Sequence, residues 1–366
     1  RRWLTALLAT PKALAPRERA TAGDLLARLG DPRPGVGVRT LLGTDKAGHA
    51  LPDILWVEVP AGSFLMGSTD DDKMAYGRER PQHTVELPAF WIGCYPLTNA
   101  QYRPFLEAGG YDQERYWTAE GWAWRQGELE FDLSVIEDEE TRKIWADHLA
   151  RRPAEKRGVP YWWNDPQLGL PNRPVVGITW YEALAYCAWL TEQFKGDGGK
   201  VQIQMWRKDR LETVAFPPHA AVTLPSEAQW EKATRGTDGR RWPWGNEWAA
   251  GRANTEEAEI KQTSAVGAFP SGASPYGALD MAGNVWEWTS DCWGHTSIYK
   301  PDYCYPYNPD DGREALDGLD WRIMRGGSWY HDQRLARCAY RDWLNPYLWN
   351  YDLGLRVVVS LARSRS

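Results

Sequence analysis

The run Gly283-Asn284-Val285-Trp286-Glu287-Trp288 is answered further on by Arg325-Gly326-Gly327-Ser328-Trp329. Both lie where regular hydrophobic periodicity has all but gone. Between 230 and 355 only short strands can be placed, such as Arg322-Ile323-Met324, with Leu355-Arg356-Val357-Val358-Val359 closing the stretch. Residues 110–170 read the same way. So long a loop-rich stretch in a folded chain points to function, to a metal that holds the loops, or, here, to both.

Regular elements frame that stretch. Trp56-Val57-Glu58-Val59-Pro60 alternates apolar and polar residues and meets Gly62-Ser63-Phe64-Leu65-Met66-Gly67 at a turn, with strands at Thr84–Leu87 and Phe90–Gly93. Thr98-Asn99 caps a helix carrying Tyr102, Phe105 and Leu106 on one face. Thr179 and Glu182 form a capping box for a helix to about Phe194, and Ser226 caps another. Residues 1–43 differ: leucines at helical spacing on either side of Pro11 and Pro16, then Gly30 and a Pro-rich linker, predict two short helices that dock on the main body. This divides the chain into a helical segment and linker, 1–45, and a main domain, 46–366.

Composition narrows the class. The 366 residues carry a net charge of −6, which offers no electrostatic footprint for nucleic acid. No apolar run is long enough for a membrane helix, so no membrane insertion is expected, and the default location is the cytoplasm. Trp (23) and Tyr (17) far outnumber Phe (7), which fits a recognition surface or loop-rich fold better than a helical bundle. The five cysteines, Cys94, Cys187, Cys292, Cys304 and Cys338, contain no CxxC pair and read as buried free thiols, with a Cys292–Cys304 loop bridge as the alternative.

Seven motifs in order carry a resemblance. They are Pro60-Ala61-Gly62-Ser63-Phe64-Leu65-Met66-Gly67-Ser68, Tyr95–Asn99, Pro174–Trp180, Leu224–Glu231, Trp242-Pro243-Trp244-Gly245, Gly283–Trp288 and Arg325–Trp329. Together they resemble the formylglycine-generating-enzyme-like (sulfatase-modifying factor) domain over residues ~56 to ~360. The resemblance implies an α+β, C-type-lectin-like fold: small twisted antiparallel sheets, two or three helices and extensive irregular loops.

Fold alone does not give activity. The formylglycine-generating oxidase needs a pair of copper-binding cysteines after Gly-Gly-Ser. Here Tyr330-His331-Asp332-Gln333-Arg334-Leu335-Ala336 contains none, and Cys338 matches only the later structural cysteine. The sulfoxide-synthase type is a non-haem iron enzyme with histidines on an added helical domain. The six histidines here, His49, His83, His148, His219, His295 and His331, are scattered.

The tail resembles a third group, the variable proteins of diversity-generating retroelements. Tyr330, His331, Asp332, Leu335, Asp342, Leu344, Asn345, Tyr347, Leu348, Asn350, Tyr351 and Asp352 are all residues reached by randomising the adenines of an AAC codon, or Asn itself. Trp343 and Trp349 follow from AGG becoming TGG. These fourteen positions, in a region of about 325–359, are the expected binding surface, with Tyr330, Trp343, Tyr347, Leu348, Trp349 and Tyr351 exposed on it. The reading is a ligand-binding display or sensor protein without catalysis, its partner an unidentified protein or other macromolecule, with a possible upstream signalling module. The alternative is a non-haem iron or other oxidoreductase of the same superfamily.

The resemblance also implies structural calcium. Asp280 and Glu287 would contribute carboxylates, Gly283 and Val285 carbonyls, with a second site at Asn254 and Thr255. The competing reading has Asp280 capping a turn and Glu287 paired with an arginine.

Overall fold

The computed structural model describes residues 1–44, 50–129, 133, 138–199, 201–207, 210–297 and 300–361. The expected division at 45/46 and His49 fall outside them, as does Glu137 of the run Glu137-Asp138-Glu139-Glu140, which reads in sequence as a solvated helix face.

Two sheets organise the molecule. A six-stranded sheet runs in the order 210–215, 202–207, 55–59, 90–93, 358–361, 220–223. Its strands are antiparallel except where Leu55–Val59 lies parallel to Gln202–Arg207. A four-stranded sheet runs 342–344, 321–325, 286–294, 353–355, and two-stranded hairpins at 62–66/83–87 and 38–44/50–52 flank these. Among the described residues the two N-terminal helices form as expected, and the main domain carries five α-helices against the two or three expected there.

The strand Leu55–Val59 shows why the sheets sit where they do. Successive side chains point to opposite faces, so Trp56 enters a large aromatic core with Trp180, Trp288 and Phe105, while Val57 and Val59 enter a second core with Val85, Phe90 and Trp230. Trp56 and Val57 are both fully buried, so the strand is covered on its two faces and is not the half-solvated strand its alternation suggests.

The three capped helices form where their caps predict. Thr98 accepts the amide of Gln101, and Ser226 that of Gln229. Thr179 and Glu182 exchange hydrogen bonds at 2.7 and 3.2 Å at the head of Trp180–Gly199. The helix Ala119–Gln126 and the strand pair 202–207/210–215 are additions to the sequence reading, and of the acidic run Glu139 and Glu140 open the longer helix Glu139–Ala150. Ala119–Gln126 is too short and too mixed in composition to show an apolar stripe.

The N-terminal helices, Arg2–Ala9 and Pro16–Leu29, are built into the fold. Leu8 and Leu26 are buried against Phe269, and Arg19 donates to the carbonyls of Leu8, Thr10 and Ala268. Asp24 pairs with the fully buried Arg173 at 2.8 Å, and Asn172 donates to Gly23. No described helix is long and apolar enough to cross a membrane.

Candidate functional site

Buried arginine–carboxylate pairs hold the C-terminal third of the chain. The helix Glu227–Arg235 presents Glu227 and Glu231 one turn apart. Glu227 accepts from Arg325 at 3.0 Å and from Arg341 at 2.6 and 2.9 Å, and Glu231 accepts from Arg325 at 2.5 Å. Arg337 pairs with Glu79 and Arg356 with Glu287. Burial works against the charge on Glu227, but Arg341 and Arg325 outweigh it and hold the carboxyl below its ordinary range. Such pairs contribute little net stability, but breaking one strands a buried charge, so they specify where the loops between them run.

Those loops bring together residues distant in sequence. Ser328 Oγ donates to Asp352 Oδ2 at 2.6 Å and lies 2.8 Å from His331 Nδ1. Trp286 Nε1 approaches the same nitrogen at 3.3 Å. The order is Asp–Ser–His, with the serine in the middle and fully buried. A hydrolytic triad places histidine between the other two and leaves the serine open to substrate, so Ser328 here is a relay and not a nucleophile. His331 is partly exposed, its side chain 30% accessible, and Nε2 has no partner among the described residues. Burial raises the Asp352 pKa, against the pull of the Ser328 hydrogen bond and the His331 charge, and Oδ1 is buried without a partner. A carboxyl that holds its proton above the ordinary range, linked through a hydroxyl to an imidazole, can take or return a proton at the surface.

Aromatic rings surround His331. Tyr330, 59% exposed, packs edge-on to His331 at 5.5 Å, and Trp329 and Tyr351 in turn pack on the Tyr330 ring at 5.7 and 6.1 Å. On the other side Trp286 stands 5.4 Å from His331 and leads to Tyr340.

The structure divides the expected binding positions. Tyr330 is exposed; His331, Asp332, Leu335, Asp342, Trp343, Leu344, Asn350 and Tyr351 are half-buried. Asn345, Tyr347, Leu348, Trp349 and Asp352 are buried, which corrects the expectation that Tyr347, Leu348 and Trp349 lie on the surface. The reason is a cover invisible in the sequence: His148, on the helix Glu139–Ala150, packs on Trp349 at 4.4 Å, and Tyr161 lies against it at 5.4 Å. Trp343 is stacked on Trp321 at 4.4 Å. Ser328 and Trp286 entered the sequence reading only as framework, and nothing in their local pattern marks them as neighbours of His331 and Asp352.

The expected calcium ligands fare unequally. Glu287 is corrected: Arg356 engages both its oxygens, and Trp230 Nε1 donates at 2.7 Å. Asp280 accepts the Gly267 amide at 2.6 Å, and burial lifts its carboxyl to about 6. Gly283 and Asn254 do meet. A Cβ on Gly283, whose φ is +77°, would lie 2.3 Å from the Asn254 carbonyl, so only glycine fits there. The Gly283 carbonyl already accepts from Val285, and Thr255 Oγ1 donates to Glu257. Asn254 Oδ1 remains a buried acceptor without a partner.

Redox-metal ligands are not assembled. Among the described residues no three His, Cys, Asp or Glu side chains cluster to hold a metal ion. The cysteines are all free thiols; four are buried and Cys304 is exposed. Burial pushes Cys338 up to about 12, which keeps it from acting as a thiolate.

The fold and these motifs define a sulfatase-modifying-factor type of domain. The chain belongs to that family: the sulfatase-modifying factor enzyme 1-like domain matches residues 41–361. It is 31% identical over 299 residues to hercynine oxygenase of Mycolicibacterium smegmatis, covering 79% of this chain and 58% of that protein. It is 32% identical over 346 residues to the hercynine oxygenase of Mycolicibacterium thermoresistibile, covering 92% and 64%. To the formylglycine-generating enzyme of Bos taurus it is 28% identical, covering 86% and 77%. The chain therefore spans about three fifths of the hercynine oxygenases it matches. In structure it is similar to PvdO from Pseudomonas aeruginosa (TM-score 0.54, 24% identity, 84% of this chain and 94% of that one). It is also similar to Treponema denticola variable protein 1 (TM-score 0.50, 19% identity, 83% and 94%). Both likenesses bear on the fold alone. The expectation of a display protein without catalysis is corrected by the hercynine oxygenases and the formylglycine-generating enzyme, relatives that are named enzymes.

Proposed function

We propose that this chain is the substrate-binding and proton-handling part of an oxygenase-type enzyme, carried on a C-type-lectin-like scaffold. The observation that carries the reading is the Asp352–Ser328–His331 relay set among aromatic rings, in a chain about 30% identical to hercynine oxygenases. Hercynine carries a quaternary trimethylammonium group, a cation that ring faces such as those of Tyr330, Trp329 and Tyr351 attract. Asp352, through Ser328, orients the His331 ring so that Nε2 faces the bound substrate, where it can hold or move a proton.

The described residues do not fit a resident iron or copper centre, so no step is assigned to one within this chain. Calcium is proposed at the Asn254 loop only, where the unpartnered Oδ1 and nearby carbonyls offer hard oxygen donors.

The test is calorimetric titration of the chain with hercynine. Binding that weakens in Tyr330→Ala supports the reading. Absence of binding, or binding unchanged in Tyr330→Ala, overturns it.

A further inference from the structure

A cavity of about 390 Å³ opens between the segments 76–80 and 300–305, lined by Tyr76, Arg78, Arg80, Lys300, Cys304 and Tyr305 among others. It is separate from the His331 relay and has a charge character of its own. Three of its walls are cationic, and none of its lining residues is a carboxylate.

In the buried pairs the protein answers Arg325, Arg337, Arg341 and Arg356 each with a carboxylate. Here it does not. Arg78 uses Nε on the Arg341 carbonyl at 2.9 Å and Nη2 on the Tyr340 hydroxyl at 2.7 Å. Arg80 uses Nε and Nη2 on the carbonyls of Thr69 and Asp72. Among the described residues each guanidinium keeps Nη1 without an acceptor, and neither arginine nor Lys300 has an ion pair.

The carboxylates nearby are committed elsewhere or lie back from the cavity. Glu79, between the two arginines, is bound to Arg337 at 2.7 Å. Asp72 is turned to Arg241 at 3.2 Å. Asp71 feels the charges of Arg241 and Arg80. Asp342 feels the charge of Arg78, yet burial dominates it and raises its pKa, which lessens its power to neutralise that arginine. In a chain of net charge −6, this is a concentrated positive site.

We propose that this cavity binds the phosphate group of a small phosphorylated molecule. Arg78 and Arg80 present guanidinium donors suited to phosphate oxygens, and Lys300 adds a point charge. The Tyr76 ring, 4.9 Å from the Arg78 guanidinium carbon, and the Tyr305 ring form walls for the body of the ligand. The volume suits a small ligand. A Cβ on Gly77 would meet nothing within 4 Å, so the backbone there leaves room and accepts a side chain.

Cys304 supplies the readout, since it is the one exposed cysteine of the five. The full chain is alkylated with iodoacetamide, a neutral reagent, with pyrophosphate as the probe at fixed ionic strength. Pyrophosphate is expected to slow Cys304 alkylation about tenfold once the site is nine-tenths occupied, by mass action, while citrate at matched ionic strength leaves the rate unchanged. Lys300→Ala and Arg80→Ala should each lose the protection, and Gly77→Glu, which places a carboxylate in the cavity, should abolish it. Equal protection by citrate overturns the phosphate assignment. An unchanged alkylation rate with pyrophosphate, or protection that survives in Lys300→Ala and Gly77→Glu, overturns the site.

Discussion

Glu227 and Arg341 are joined through both carboxylate oxygens, Nε to Oε1 at 2.6 Å and Nη2 to Oε2 at 2.9 Å, with neither side chain exposed. The pair ties the first turn of a helix to the residue just before the edge strand Asp342–Leu344. Because Glu227 also holds Arg325, one carboxylate sets the spacing between the two loops that carry the candidate site.

Glu227→Gln removes the charge that answers both arginines. It should cost about 3–5 kcal/mol, the usual penalty for stranding a buried charge. Urea unfolding at neutral pH measures it, and a loss under ~1 kcal/mol would mean that the arginines find other partners.

Trp349 and Tyr330 separate packing from surface. Trp349→Ala opens a void beneath His148 and Tyr161 and should destabilise by about 3–5 kcal/mol. Tyr330→Ala, at an exposed ring, should stay within about 0.5 kcal/mol of the parent while weakening hercynine binding. Equal losses of stability in the two variants would contradict the burial described here.

Ser328→Ala removes the 2.6 Å hydrogen bond to the buried Asp352 Oδ2 and leaves that oxygen the 3.8 Å approach of His331 Nδ1. A loss of about 1–3 kcal/mol is expected on unfolding. Urea unfolding at neutral pH measures it, and an unchanged midpoint would show that the Ser328 hydrogen bond carries no stability.

Asp291 predicts a pH effect of definite sign. Burial, with Glu227 and Glu314 close by, pushes its carboxyl up to about 8. Between the ordinary carboxylate range and that value the folded chain keeps a proton that the unfolded chain has lost. Its contribution is therefore fully present at low pH and falls as pH rises through the window. In Asp291→Asn that fall should vanish. The amide oxygen can take the Glu227 amide and the nitrogen can face Tyr307, whose hydroxyl then serves Glu314. The urea midpoint of the variant relative to the parent should thus climb from pH 5 to pH 9, and a flat difference would refute the assignment.

The fold was legible wherever a cap or a strand pattern is local. Thr98, Thr179 and Ser226 mark their helices because the hydrogen bonds lie within a few residues. The family was legible because its seven motifs keep their order. Of the helix Glu139–Ala150 only the acidic start was legible, and the burial of Tyr347, Leu348 and Trp349 was not, because that depends on a partner far away in the chain. At the site, the individual residues His331 and Asp352 stood out, but their connection through Ser328 is made only by folding. Glu287 shows the limit of a motif: an acidic residue in a metal-loop pattern has its charge answered by Arg356.

The N-terminal helical hairpin lies outside the family boundary at residue 41, yet it is not dispensable padding. A protein trimmed to that boundary would expose Phe269 to water and leave Arg173 buried without Asp24. Such a shortened version would be prone to clump during purification, and its failure would say nothing about the chemistry of the domain. The unit that evolution copies and the unit that folds have different edges here, and any swap of this domain into another protein has to carry the hairpin with it.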